Sequence, residues 1–64
     1  MLEHIQWIVN NTVVQHCNED EVTELLCACC TWLELLNSIE DASPVIAEVA
    51  DFEYSLVDRL MEVA

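Results

Sequence analysis

The sequence contains no glycine and one proline, Pro44, in 64 residues. Glycine and proline provide most of the backbone conformations that sharp turns need, and phosphate-binding loops are rich in glycine. The chain therefore has few of the residues that sharp turns or phosphate-binding loops require. Its apolar residues instead recur at intervals of three and four, which is the spacing of one helix face. These features predict an all-α fold in one small acidic domain spanning residues 1–64.

Three segments with helical spacing can be distinguished. The first runs from about Leu2 to Gln15, the second from about Glu19 to Ser38, and the third from Pro44 to the C-terminus. The first is the weakest, because the Asn-rich and β-branched residues 10–14 also fit a strand. Three amphipathic helices with short connections predict a three-helix bundle. A helical homodimer is the alternative, because the apolar arcs of the second and third segments are wider than a small bundle needs.

Polar residues mark the ends of these segments. Asn18, with Glu21 three residues later, predicts a capping box at the start of the second helix. Ser43 followed by Pro44 predicts a third helix with serine as its N-cap and proline at its first position. Residues 37–42 are polar enough to form the turn between these two helices.

The same spacing predicts which side chains are buried. The second helix is expected to bury Val22, Leu25, Cys29, Trp32, Leu36 and Ile39. The third is expected to bury a stripe of Val45, Val49, Phe52, Leu56, Leu60 and Val63, widened by Ile46, Ala50, Tyr54, Val57 and Met61. Glu53 falls inside this apolar arc. His16 shares the apolar face of the first segment and is expected to be packed, whereas Trp7 and Val14 lie on its polar side.

Four cysteines and a histidine lie close together in the sequence. Cys27-x-x-Cys30 has the spacing of half a zinc site, which His16 or Cys17 would have to complete. The pair lies within a predicted helix, however, whereas zinc-binding pairs of this spacing usually lie on a turn with glycine nearby. We therefore expect no metal and no cofactor, with Cys29 acting as a small core residue. A small metal-binding regulator stays open as a third alternative.

Several function classes are disfavoured. The two histidines have no obvious nucleophile beside them, and so short a chain lacks the depth for a water-excluded pocket, so we expect no enzyme. Direct binding to nucleic acid requires a basic patch, which Arg59 alone cannot form. No apolar run reaches the roughly 18 residues of a membrane span, and no signal peptide is recognisable, so the expected location is the cytoplasm.

Acidic charge is the strongest functional signal. Thirteen Asp and Glu residues stand against one Arg, giving a formal net charge of −12, although 55% of the residues are apolar. Four acids of the third helix follow one another, with Ser55, at spacings of three and four: Glu48, Asp51, Asp58 and Glu62. Such a row can simply keep a half-apolar domain in solution. It also attracts basic surfaces, and its length of about 21 Å is comparable to a row of phosphates. These four acids are the candidate partner-binding residues.

In its length, helical pattern, aligned acids and near absence of Lys and Arg, the chain resembles small phage-encoded DNA-mimic proteins. These include acidic anti-CRISPR proteins that block the DNA-binding surface of a CRISPR effector. The resemblance is one of composition along the whole chain. It implies an inhibitor, acting in the host-cell cytoplasm, of a basic nucleic-acid-binding protein or complex such as a CRISPR effector. The alternative is an oligomerisation or adaptor module that binds through apolar helix faces, with Trp7, Val14 and Trp32 as its contact residues.

Overall fold

A computed structural model describes residues 2–64 and confirms the predicted all-α three-helix bundle. Its elements are α1 (Leu2–Asn11), a short 3-10 helix (Val14–His16), α2 (Glu19–Leu36) and α3 (Ser43–Val63). Residues 2–64 contain no strand, so the strand alternative for residues 10–14 is wrong. Within the same range, no helix combines the length and the apolar character that crossing a membrane would require.

The first helix ends earlier than the sequence predicts. α1 stops at Asn11, and Val13 is extended before the 3-10 helix begins. The side chains of Asn11 and Thr12 donate hydrogen bonds to the carbonyl oxygens of Trp7 and Ile8, each at 2.7 Å. Such side-chain bonds compete with the backbone bonds of a continuing helix, and Asn, Thr and Val are poor helix formers.

The start of α2 confirms the predicted capping box. Asn18 Oδ1 accepts a hydrogen bond from the Glu21 amide at 2.9 Å, and Glu21 Oε1 accepts one from the Asn18 amide at 3.1 Å. Two amides that lack a partner within the helix are thereby satisfied. The three acidic residues of this first turn also lie at the positive end of the helix dipole.

The start of α3 differs by one residue from the prediction. Ala42 is the N-cap, Ser43 is the first helical residue, and no side chain caps the helix. Asp41 has a φ of 64°, a left-handed conformation that redirects the chain just before the helix. Ala42 is buried, so the N-cap residue is held by apolar packing, and Ser43, the predicted N-cap, lies inside the helix. Pro44 is tolerated because its missing amide would have no partner in a first turn.

The core is built around α3. α2 packs along α3, while α1 and the 3-10 helix also pack on α3 and α1 makes few contacts with α2. The buried residues are Ile5, Cys17, Val22, Cys29, Leu36, Ala42, Val45, Val49, Phe52 and Leu56. The prediction is confirmed for Val22, Cys29 and Leu36 of α2 and for Val45, Val49, Phe52 and Leu56 of α3. The other predicted members of the α2 stripe, Leu25, Trp32 and Ile39, are half-buried.

The margins of these stripes are not buried. Tyr54, Val57 and Met61, which were expected to widen the buried face of α3, are exposed. A bundle with only two other helices covers less of α3 than its apolar arc spans. His16 is exposed rather than packed, because it lies on the 3-10 helix and not on a continuation of α1. Trp7 is exposed, as predicted.

Candidate functional site

Carboxylates are spread over the exposed surface of the protein. Of the thirteen acidic residues, all except Glu48 and Glu53 are exposed, and none is buried. Among the described residues the one ion pair joins Arg59 to Glu62, with 3.4 Å between the guanidinium nitrogen and the carboxylate oxygen. Negative charge on this surface is therefore almost uncompensated, and it repels itself.

The predicted row on α3 is present as three exposed carboxylates. Asp51, Asp58 and Glu62 project from the side of α3 that its neighbouring helices leave open. Ser55, which lies between them along the row, donates its hydroxyl to the Asp51 carbonyl oxygen at 3.3 Å. We refer to Asp51, Asp58 and Glu62 as the acidic row. Because it stands on a continuous helix, the Cα atoms that bear its carboxylates lie at fixed spacing along one axis.

Glu48 differs from the other predicted members of the row. Its side chain is half-buried, and its Oε2 atom is buried without a hydrogen-bond partner among residues 2–64. Glu48 precedes the buried Phe52 by one helical turn, so it lies at the border between the acidic row and the core. A buried carboxylate oxygen without a partner is destabilising.

Arg59 is bonded within the fold and offsets one carboxylate of the acidic row, that of Glu62. Its Nε atom donates to the carbonyl oxygen of Cys17 at 3.0 Å, and a terminal nitrogen donates to Glu62 at 3.4 Å. A polar depression of about 200 Å³ lies beside it, lined by Val14, Gln15, Ser55, Asp58, Arg59 and Glu62. This is smaller than the roughly 300–1,000 Å³ of small-molecule sites, so the depression is surface relief next to the acidic row.

The cysteine and histidine side chains do not come together. Cys17 and Cys29 are buried, whereas Cys27, Cys30 and His16 are exposed. No three His, Cys, Asp or Glu residues in the described part of the chain are grouped as a metal ion would require. The half-site suggested by Cys27-x-x-Cys30 is therefore not completed by the two predicted candidates.

Cys29 is the one thiol whose chemistry is clearly altered. Burial raises its pKa to about 11, and the negative charges of Glu53 and Cys30 act in the same direction. The thiol is protonated at neutral pH and hence a poor nucleophile and metal ligand. Its position in the core agrees with the predicted structural role.

One concave surface of the protein is not predicted by the sequence. A groove of about 470 Å³ lies between α1 and α2, and we call it the α1–α2 groove. It is lined by Ile8, Thr12, Cys17, Glu21, Glu24, Leu25, Ala28 and Trp32. The signal is the width of the apolar arc of α2, because α3 buries Val22, Cys29 and Leu36 and leaves Leu25, Ala28 and Trp32 half-buried.

The protein thus presents an acidic row on α3, exposed apolar side chains on α1 and α3, and a groove between α1 and α2. Comparison of the chain with protein-family models, with curated proteins and with solved structures found no significant match to any of them.

Proposed function

We propose that this protein is an inhibitor that occupies the basic surface of a nucleic-acid-binding protein or complex. The observation that carries the proposal is the exposed acidic row on a rigid helix, in a chain whose single Arg is already engaged. Because basic side chains are almost absent, the surface offers a basic partner little repulsion. Complementary charge speeds association and fixes the orientation of the two proteins.

The dimensions of the acidic row suit this role. From Asp51 to Glu62 the helix rises by about 16 Å, which matches about five phosphate-to-phosphate steps along one strand of DNA. A groove that binds a nucleic-acid backbone through Lys and Arg would meet carboxylates at comparable positions. Binding would exclude the nucleic acid, since both ligands need the same basic side chains.

The compositional resemblance of the chain to phage-encoded DNA mimics also supports this proposal. On this basis the partner is a basic effector such as a CRISPR complex, and the protein acts in the cytoplasm of an infected host cell. The proposal requires no catalytic residue, cofactor or metal, and it requires no direct contact between this chain and nucleic acid.

A second candidate function is that of an adaptor or oligomerisation module. Three large apolar side chains are mostly exposed to solvent: the exposed fraction is 65% for Trp7, 75% for Tyr54 and 76% for Met61. Tyr54, Val57 and Met61 follow one another at spacings of three and four, so they form an apolar stripe on α3. Exposed apolar patches mark interaction sites, although a net charge of −12 on each copy opposes self-association.

Two triple variants separate charge placement from total charge. The row variant carries Asp51→Lys, Asp58→Lys and Glu62→Lys. The control variant carries Glu3→Lys, Glu34→Lys and Glu40→Lys, which are exposed positions outside α3. Each substitution replaces a charge of −1 by a charge of +1, so both triple variants change the net charge from −12 to −6. Both are checked for helical content by circular dichroism before use.

The experiment is affinity capture from host lysate at low and high salt, followed by competition with duplex DNA for the captured protein. We expect wild type and the control variant to capture the same DNA-binding protein, DNA to displace it, and the row variant to fail. High salt should weaken capture strongly, because it screens exposed charges. Equal loss in both variants would show that only total charge matters. Capture that survives in the row variant and in high salt, but is lost in Trp7→Ala, would favour the adaptor.

A further inference from the structure

We propose that the α1–α2 groove binds a short, basic, amphipathic helix of another protein. This site is separate from the acidic row, because α3 contributes no residue to its lining. The proposal therefore goes beyond the inhibitory function and does not depend on it.

The floor of the groove is apolar and incompletely covered. Ile8 of α1 faces Leu25, Ala28 and Trp32 of α2 across it, and all four side chains are half-buried. They stay partly open because α1 and α2 pack on α3 and make few contacts with each other. The groove volume of about 470 Å³ lies within the roughly 300–1,000 Å³ range of binding sites.

The rim of the groove is acidic. Glu21 and Glu24 are exposed and lie about one turn apart on α2, with a rise of about 4.5 Å between them. Glu21 also accepts a hydrogen bond from the Asn18 amide, which holds its carboxylate at the start of α2. Lys or Arg residues three or four apart on a partner helix would meet these two carboxylates at matching spacing.

Shape and charge together select a helix of another protein. The groove is lined by α1, by Thr12 and Cys17 of the connection, and by α2. None of these belongs to a strand, so the groove offers no strand edge to an extended peptide. An amphipathic helix needs no such edge, because it binds through apolar side chains at helical spacing. A second copy of this chain lacks the matching charge, since its one Arg is bonded to Cys17 and its net charge is −12.

The probe is a synthetic peptide of Leu, Lys and Ala with its leucines at spacings of three and four. A peptide of the same composition in scrambled order is its control. Binding is followed by the anisotropy of a dye on the peptide and, in a Trp7→Phe background, by the fluorescence of Trp32. That background leaves Trp32, which lines the groove, as the sole tryptophan.

Four variants, one of them a matched control, locate the binding site. Ala28→Phe fills the groove and should weaken peptide binding by about tenfold or more. Glu24→Lys reverses a rim charge and should weaken binding by about fivefold or more, whereas its matched control Glu34→Lys, also exposed on α2, should weaken it by less than about twofold. The row variant should still bind the peptide within a few-fold of wild type, because α3 does not line the groove.

The proposal is overturned by any of four results. The scrambled peptide binds as well as the amphipathic one; Glu24→Lys and Glu34→Lys weaken binding equally; a folded Ala28→Phe variant binds like wild type; or the row variant alone loses the peptide. The last result would leave the inhibitory function standing and remove only the groove as a site. If Ala28→Phe does not fold, the comparison of Glu24→Lys with Glu34→Lys decides the question, since both positions are exposed.

Discussion

Arg59 Nε donates a hydrogen bond to the main-chain carbonyl oxygen of Cys17 at 3.0 Å, across 42 positions of sequence. Cys17 follows the 3-10 helix directly and precedes the N-cap of α2, and its side chain is buried. The bond thus fastens α3 to the connection between α1 and α2. The single Lys or Arg residue of the chain is thus used within the fold and pairs with Glu62, which leaves the other acidic residues without an Arg or Lys counter-charge.

We expect Arg59→Met to destabilise the protein by about 1–3 kcal/mol, because it removes a charged donor and retains much of the apolar stem. Urea unfolding followed by circular dichroism measures the change. The control is Glu62→Gln, which removes the exposed ion pair and one negative charge but leaves the bond to Cys17, and it should change stability by less than about 0.5 kcal/mol. Equal losses in the two variants would mean that the ion pair, and not the bond to Cys17, stabilises the fold.

Replacing Glu48 should stabilise the protein. Its Oε2 atom is buried without a hydrogen-bond partner among the described residues, so Glu48→Met removes an unfavourable polar group and adds apolar contact. The expected gain is about 0.5–1 kcal/mol in the free energy of unfolding, limited by the partial exposure of the side chain. Glu34→Met, at an exposed site with the same change in net charge, should give a smaller gain. A destabilised Glu48→Met variant would show that this carboxylate has a favourable role.

Stability should fall as the pH rises from about 9 to about 11. Burial and the nearby charges of Glu53 and Cys30 raise the pKa of Cys29 from 9.0 to about 11. The stabilisation that the Cys29 thiol contributes is complete below pH 9, where the thiol is protonated in both the folded and the unfolded state. Between pH 9 and pH 11 only the unfolded state loses the proton, so unfolding becomes more favourable. Urea titrations of wild type and Cys29→Ala should show a steeper loss for wild type over this window, and identical slopes would contradict the assignment.

Mild acid should not unfold the protein. Lowering the pH from 7 to 5 begins to neutralise the exposed carboxylates and relieves their repulsion. Loss of stability in acid usually reflects carboxylates that lose ionic or hydrogen-bonded partners. Among the described residues two carboxylates have such partners, Glu62 with Arg59 and Glu21 with the Asn18 amide, and both carboxylates are exposed. We expect the thermal midpoint at pH 5 to equal or exceed that at pH 7, with a smaller difference in high salt. A midpoint that drops by several degrees would indicate a stabilising carboxylate, with Glu53 as the first suspect.

Local signals in the sequence were sufficient for most of the fold. The capping box of Asn18 and Glu21 fixes the start of α2 through bonds between near neighbours, which depend little on the rest of the chain. The spacing of Val49, Phe52 and Leu56 identifies the core side of α3 because side chains three and four apart share a face.

Features that depend on packing between helices could not be read from spacing. A helical-wheel projection of α3 shows that Tyr54 and Met61 lie at the margin of an apolar arc. Whether these side chains are covered depends on where α1 and α2 pack. Glu48 appears on the same wheel as an ordinary member of the acidic row, although it borders the core. The α1–α2 groove exists because both helices pack against α3 in preference to each other.

The unequal packing of the helices also determines the order in which they unfold locally. α2 and α3 are joined by the short turn at 37–42, so their contacts close a small loop at little entropic cost. α1 is held chiefly by α3 and should detach first, as a unit of low local stability. In native-state hydrogen exchange, the amides of α1 should therefore lose protection before those at the centre of α2. A ligand seated between α1 and α2 would slow that exchange by holding the least secured helix in place.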